Sequence, residues 1–277
     1  MLTKNESPLV SFIIRTIPGR GALLANALAS IARQTVSGWE IIVVEDGGDT
    51  ARQQAEAHPN TRYISLPPVG RCRAGNAALD AAKGRYCGFL DDDDELYSNH
   101  LETLLPLLES NPDTPAAFAL ADIFYGTRKE SPRPAPPFWT LRTRNIMPIQ
   151  AVLFRRSLFT AHGGLAEDLD HFEDWELWLR YASRGGVFVH APSVTSFYRM
   201  PADTRAYHRR VLTAQRYYPV VALRVKDYVF EGQGQGLAAL SPRAALKERL
   251  LRTYYFFALF RRLSSVYKRC KAFVSLR

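Results

Sequence analysis

Apolar runs of strand length alternate with helix-patterned segments through the first hundred residues of the chain. Residues 10–15 (VSFIIR), 39–45 (WEIIVVE), 62–66 (RYISL) and 86–90 (YCGFL) are short and rich in β-branched or aromatic side chains, the pattern of buried strands. Between them, residues 22–33 place Leu24, Ala27, Leu28 and Ile31 at helical spacing, and residues 50–57 and 74–82 read as further helices. This alternation predicts an α/β fold, a Rossmann-like and mostly parallel central sheet flanked by helices. Ligands of such open sheets sit beyond the carboxyl ends of the strands. Two acidic sequences stand there: Glu45-Asp46 and the run 91–94, DDDD.

Beyond residue 100, helices are expected at 101–109 and at 174–183, the latter after Gly163-Gly164. The segment 128–144 (RKESPRPAPPFWTLRTR) is dense in proline and basic residues and is expected as a loop or flap without regular structure. GQGQG at 232–236 reads as a hinge, and no internal repeat is evident.

Charge is uneven along the chain. The net charge of +9 is carried by residues 241–277, where ten Lys or Arg face the single acid Glu248; the remainder is balanced. A basic tail on a neutral body removes the main support for a nucleic-acid partner. The tail reads as a helix with Leu250, Tyr254, Phe257, Leu259, Phe260 and Leu263 among its basic positions, and its apolar run 254–260 is too short to span a bilayer. Two readings stay open: an interfacial helix on an anionic membrane surface, or a helix packed against protein. Cys72, Cys87 and Cys270 are odd in number and scattered, which favours a reducing compartment. With no long apolar run at the N-terminus, a cytoplasmic protein is expected, one that can lie peripherally on the inner face of the cell membrane.

The acidic run follows a buried strand directly. If extended geometry continues, Asp91 and Asp93 share a side, and two converging carboxylates suit Mg²⁺ or Mn²⁺ bridging to phosphate oxygens. The competing reading is a solvated acidic turn. Position favours the metal, because like charges crowded at a strand end repel one another unless a cation is present. In HFEDWELWLR (171–180), Glu173 and Asp174 open a predicted helix. They serve there as capping and dipole partners, or one is a general base that takes a proton from a hydroxyl nucleophile. Trp175 and Trp178 read as core residues, with stacking on a sugar face as the alternative.

Taken in order, VSFIIRT, SIARQTVSGWEIIVVEDGG, GRCRAGNAALDAAKGRYCGFLDDDDELY, MPIQAVLFRRSLFTAHGGLAEDL and FEDWELWLR resemble the inverting glycosyltransferases of family 2, which have the GT-A fold. The resemblance runs over roughly residues 9–200. It implies a metal-dependent transfer of sugar from a nucleotide diphosphate sugar, UDP being the commonest, to a hydroxyl of a glycan or lipid-linked glycan. It also implies a GT-A domain over 1–230, with a nucleotide-binding half of about 1–100 and an acceptor-binding half of about 101–230, followed by the basic helical extension 231–277. Matched by position, Thr16 and Asp46 would contact the nucleoside, and Arg71, Arg73 and Asn76 would flank nucleotide or phosphate. Asp91 looks like the ribose-side acid and a metal ligand, Asp93 like the main metal ligand, and Asp92 shares the cluster. Asp174 matches the general base and Glu173 a sugar contact.

Three departures stand out. Arg15-Thr16 replaces the frequent Pro-Thr, Gly48 stands where Ser is common, and Tyr198-Arg199-Met200-Pro201 lacks the His that often follows Tyr-Arg, leaving His208 as the next histidine. A nucleotidyltransferase and a non-catalytic scaffold on the same fold are the competing classes. The chain has no GxxxxGK[ST] sequence, which removes the P-loop enzymes.

Overall fold

The structure, a computed structural model, describes residues 7–131, 138–142, 145–200, 216–217 and 219–224. All of these fall in one compact unit, Met1–Phe230. The expected hinge, the basic tail and His208 lie outside the described residues.

Strands β1 (Val10–Thr16), β2 (Trp39–Asp46), β3 (Thr61–Leu66) and β4 (Tyr86–Asp91) pair in parallel in the order β3-β2-β1-β4. Helices α1 (Gly21–Ala32), α2 (Arg52–Glu56) and α3 (Arg71–Ala81) make the crossovers. Side chains alternate across the sheet. Phe12, Ile14, Ile41 and Val43 join Leu24, Leu28 and Ile31 of α1 and the leucines of α4 (His100–Glu109) in one core. Ile13, Ile42 and Val44 join Ala74, Ala78 and Leu79 of α3 and the two tryptophans of a later helix in the other. Burial on both faces explains why β1, β2 and β4 read as apolar runs, while the edge strand β3 is only partly buried. With each buried Ile or Leu contributing about 1.5–3 kcal/mol, the register is firmly set.

The second half extends the sheet with β5 (Glu95–Leu96), β6 (Ala116–Tyr125), β7 (Arg128–Glu130), β8 (Val152–Arg155) and β9 (Val189–Met200), packed by α5 (Arg156–His162) and α6 (Glu173–Gly185). β8 runs antiparallel to both β4 and β6, β9 is parallel to β6 and antiparallel to β5, and β7 folds back on β6. The sheet is therefore parallel through its first four strands and mixed beyond them.

Three sequence expectations need correction. The segment 128–144 is not wholly irregular: Arg128–Glu130 form β7 and Phe138–Arg142 a 3-10 turn. Gly126, at φ +62, closes the tight turn that lets the charged β7 pair as an edge strand, where charge is favoured and an apolar pattern is not required. Helix α3 begins at Arg71 rather than at residue 74. Its polar first turn carries no apolar period, and the boundary is set by Gly70 at φ +93. The acidic run does not continue extended past Asp91: it leaves β4 in a turn in which the Asp94 N–H donates to the Asp91 carbonyl at 3.0 Å.

Candidate active site

The carboxyl ends of β1, β2 and β4 open onto a cleft of about 360 Å³ whose lining includes Arg15, Thr16, Arg20, Asp46, Arg71 and all four aspartates of the run 91–94. Register places Arg15 of β1 directly beside Asp91 of β4. Its guanidinium donates twice to Asp91 Oδ1, from Nε at 2.9 Å and Nη2 at 2.6 Å. The third nitrogen, Nη1, reaches Glu173 Oε1 at 3.3 Å. Arg71, at the start of α3, spans the same two acids, 3.2 Å from Asp91 Oδ2 and 2.9 Å from Glu173 Oε1. Arg15 is only 6% exposed, and Gly75 of α3 makes room for it: a Cβ there would lie 3.2 Å from Arg15 Cδ.

Asp92 is buried and accepts the Thr16 hydroxyl at 2.6 Å. Burial pushes its carboxyl up to about 6, outweighing the lowering by Thr16 and Arg20. Arg20 pairs with Asp92 Oδ1 at 3.0 Å and with Asp93 Oδ2 at 2.6 Å. Asp94 accepts the Arg199 backbone N–H at 3.0 Å, which brings the Tyr198-Arg199 end of β9 into the cleft lining.

Asp46 accepts the N–H groups of Val69 and Gly70 at 2.7 and 3.0 Å, so the acid that closes β2 also fixes the entry to α3. Its neighbour Glu45 is fully buried and accepts from Thr50, Ala51 and the Tyr63 hydroxyl, an all-structural role. Gly48 has a steric cause. A Cβ at that position would lie 2.5 Å from Pro18 Cγ and 2.7 Å from Glu45 Oε1, so Pro18 of the first loop and Gly48 fit one another.

Not every residue expected at the site lines the cleft: Arg73, Asn76, Glu173 and Asp174 are not part of its lining, although Arg15 and Arg71 tie Glu173 to it. Arg71 and Ala74, one helical turn apart, face the cleft. Arg73 turns outward to Glu167 at 2.8 Å. Asn76 holds the 163–167 turn, donating to the Leu165 carbonyl at 3.0 Å and accepting the Leu165 N–H at 2.7 Å. Conversely, Arg20, His171, Tyr198 and Arg199 line the cleft but were not predicted to. Only the Tyr-Arg pair carried a sequence signal, its place in the family pattern.

Glu173 and Asp174 open α6 after Phe172, a non-glycine residue at φ +62, a conformation that costs energy and recurs at functional sites. Glu173 is 3% exposed and faces Arg15 and Arg71. Asp174 is held by amides: Asn145 Nδ2 donates to Oδ2 at 2.7 Å and the Trp175 N–H to Oδ1 at 2.8 Å. Burial, then the charge of Glu173, raise the Asp174 carboxyl well above the ordinary carboxylate range, against the opposing effect of these hydrogen bonds and of Arg71. Trp175 and Trp178 are core residues: both are buried, with indole N–H groups donating to the carbonyls of Leu141 and Met147. They tie the segment before β8 to the helix that carries Asp174.

A divalent cation fits this donor set in part. Among the described residues, no three potential ligands form a site that could hold a metal by protein groups alone. Mg²⁺ and Mn²⁺ commonly use one or two carboxylates and complete their shell with water and substrate phosphate. Asp93, whose side chain is 36% exposed in the cleft, meets that requirement. Both oxygens of Asp91 are engaged, Oδ1 by Arg15 and Oδ2 by Arg71 at 3.2 Å, so Asp91 could join a metal shell only by giving up one of these guanidiniums.

The sequence profile of glycosyl transferase family 2 matches residues 11–165, more than half of the chain. The chain belongs to glycosyl transferase family 2. This glycosyltransferase is 27% identical over 194 residues to the amylovoran biosynthesis glycosyltransferase AmsE of Erwinia amylovora, covering 65% of the chain and 71% of AmsE. Its fold superposes on S. aureus TarS 1–349 in complex with UDP-GlcNAc with a TM-score of 0.61 at 14% identity, covering 84% of this chain and 76% of that one. The mannosyltransferase PcManGT of Pyrobaculum calidifontis, in complex with GDP-Man and Mn²⁺, gives 0.58 at 20% identity, covering 92% and 81%. The chain spans only 33% of the length of YibD from Escherichia coli K12, another curated relative. The GT-A architecture of these structures matches the half that is parallel and the half that is mixed.

Proposed function

We propose that this glycosyltransferase moves a sugar, with inversion, from a nucleoside diphosphate sugar to a hydroxyl of a glycan or lipid-linked glycan, with Asp174 as the general base. The observation that carries this reading is the double bridge of Arg15 and Arg71, which joins Asp91 of the acidic run to Glu173, the residue next to Asp174. The cleft is thereby tied to Glu173, the residue that precedes the candidate base. Asp46 and Thr16 are assigned to the nucleoside, Asp91 to the ribose side, Arg71 to phosphate, and Asp93 to the divalent cation. Mn²⁺ or Mg²⁺, when bound, supplies neutralisation of the diphosphate leaving group. UDP is the first donor to test and GDP the second, since TarS and PcManGT are described with UDP-GlcNAc and GDP-Man. A role in polysaccharide biosynthesis follows the AmsE likeness.

Chemically, the two amide donors fix the Asp174 carboxylate while its raised proton affinity suits it to accept the hydroxyl proton as that oxygen attacks the anomeric carbon. Attack from the face opposite the diphosphate inverts the centre. Replacing Asp174 with Asn keeps the size of the side chain and removes the base. We expect kcat to fall by roughly 10²–10⁴-fold while nucleotide binding, read by thermal shift, stays at the level of the unsubstituted protein. Transfer at the normal rate by Asp174→Asn would remove the base assignment.

A further inference from the structure

The four carboxylates of the acidic run are each engaged, but by partners that differ in how firmly they are held. Asp91 has the buried Arg15, Asp92 the Thr16 hydroxyl, and Asp94 a backbone N–H. Asp93 has the guanidinium of Arg20, bound at 2.6 Å with a second contact to Asp92 at 3.0 Å. That side chain is 32% exposed and rises from the N-terminal end of α1, directly after Gly19, which sits at φ +85 with nothing within 4 Å of where its Cβ would be. Arg20 is thus a long cation at an open loop, its charge lodged on the carboxylate best suited to a divalent cation.

Two cations cannot share Asp93 Oδ2 without repulsion. A guanidinium is also the group best matched to phosphate oxygens, which it binds through paired N–H donors. The cleft holds Arg20, Arg71 and the acids together, so a diphosphate entering it offers Arg20 a new anionic partner within the reach of its side chain. We propose that Arg20 is an exchangeable counter-ion: it occupies Asp93 when the donor is absent and passes to the diphosphate when metal and nucleotide enter together. The inference rests on the reading of the cleft as a nucleoside diphosphate site. It makes metal binding by the donor-free protein weak, because Mn²⁺ must displace a resident cation, and it couples metal to nucleotide without a third protein ligand.

The test is a Mn²⁺ titration of the full chain without nucleotide, read by the electron paramagnetic resonance signal of free Mn²⁺, for the unsubstituted protein, Arg20→Gln, Arg20→Lys and Arg20→Gln/Asp93→Asn. A parallel calorimetric titration with UDP and with GDP is run at saturating Mn²⁺. Arg20→Gln should bind Mn²⁺ about tenfold or more tightly than the unsubstituted protein, as expected for loss of a competing charge at contact distance. Arg20→Lys should stay close to the unsubstituted protein, and the gain should vanish when Asp93 is also replaced. At saturating Mn²⁺, Arg20→Gln should bind the nucleoside diphosphate several-fold more weakly than the unsubstituted protein. Unchanged or weaker Mn²⁺ binding by Arg20→Gln would overturn the proposal, as would undiminished diphosphate binding by that variant. Failure of the functional reading is separately visible, as the absence of any nucleotide binding by the unsubstituted protein.

Discussion

Glu173 and Asp174 are adjacent in sequence yet stand in opposite surroundings. Glu173 is bound by two guanidiniums, while Asp174 is bound by amides and feels the charge of Glu173 in a partly buried position. A base works deprotonated, so activity should fall as pH drops through the raised pKa of Asp174. The acid limb of the kcat/KM profile should lie clearly above the ordinary Asp value of about 3.9. Removing the neighbouring charge with Glu173→Gln should move that limb to lower pH, and an unmoved limb would deny the coupling. The linkage has the matching sign for stability: with its folded pKa raised, Asp174 favours the fold at low pH and withdraws that support as pH rises through the raised value. At this scale the acidic run, Asp46, Arg71 and the ED pair were legible from motif order. The buried role of Arg15 was not, because a charged residue at a strand end shows its partners only once Asp91 and Glu173 are placed beside it.

Elements differ in how much of their structure their own residues encode. β1, β2 and β4 are covered on both faces and announce themselves as apolar runs, whereas the edge strand β3 has no fully buried residue. β6 and β9 depend instead on one another: their parallel register shifts between Phe118 and Ala121, opposite a stretch of β9 containing Pro192, which has no N–H to give a ladder. Neither periodicity nor composition marks such a pair in advance. Loop fit is equally non-local. Gly48 departs from the serine common in the family because Pro18 fills the space. Gly48→Ser should therefore lower the melting temperature, and Pro18→Ala should relieve part of that loss. The double-variant cycle should show coupling of about 0.5 kcal/mol or more, as for residues in contact; additive effects would mean that the two positions are independent.

For the molecule as a whole, charge separates a balanced body from a basic C-terminal stretch. No helix among the described residues is long and apolar enough to cross a membrane. We propose that residues 241–277 draw the enzyme to an anionic membrane surface, where a lipid-linked acceptor would lie. The full chain should then sediment with vesicles rich in anionic lipid at low ionic strength and release from them as salt screens the attraction. Vesicle binding that ignores salt, or none at all, would leave the tail to a protein contact.

The cleft at the ends of β1, β2 and β4 is proposed to take a nucleoside diphosphate sugar, with Asp174 acting on what is bound there. The deciding measurement is isothermal calorimetry with UDP and GDP, each with and without Mn²⁺, on the unsubstituted protein, Asp46→Ala and Asp174→Asn. One nucleotide should bind in the presence of metal, Asp46→Ala should lose this binding, and Asp174→Asn should retain it. A folded protein that binds neither nucleotide, or binding untouched by Asp46→Ala, would contradict this role of the cleft.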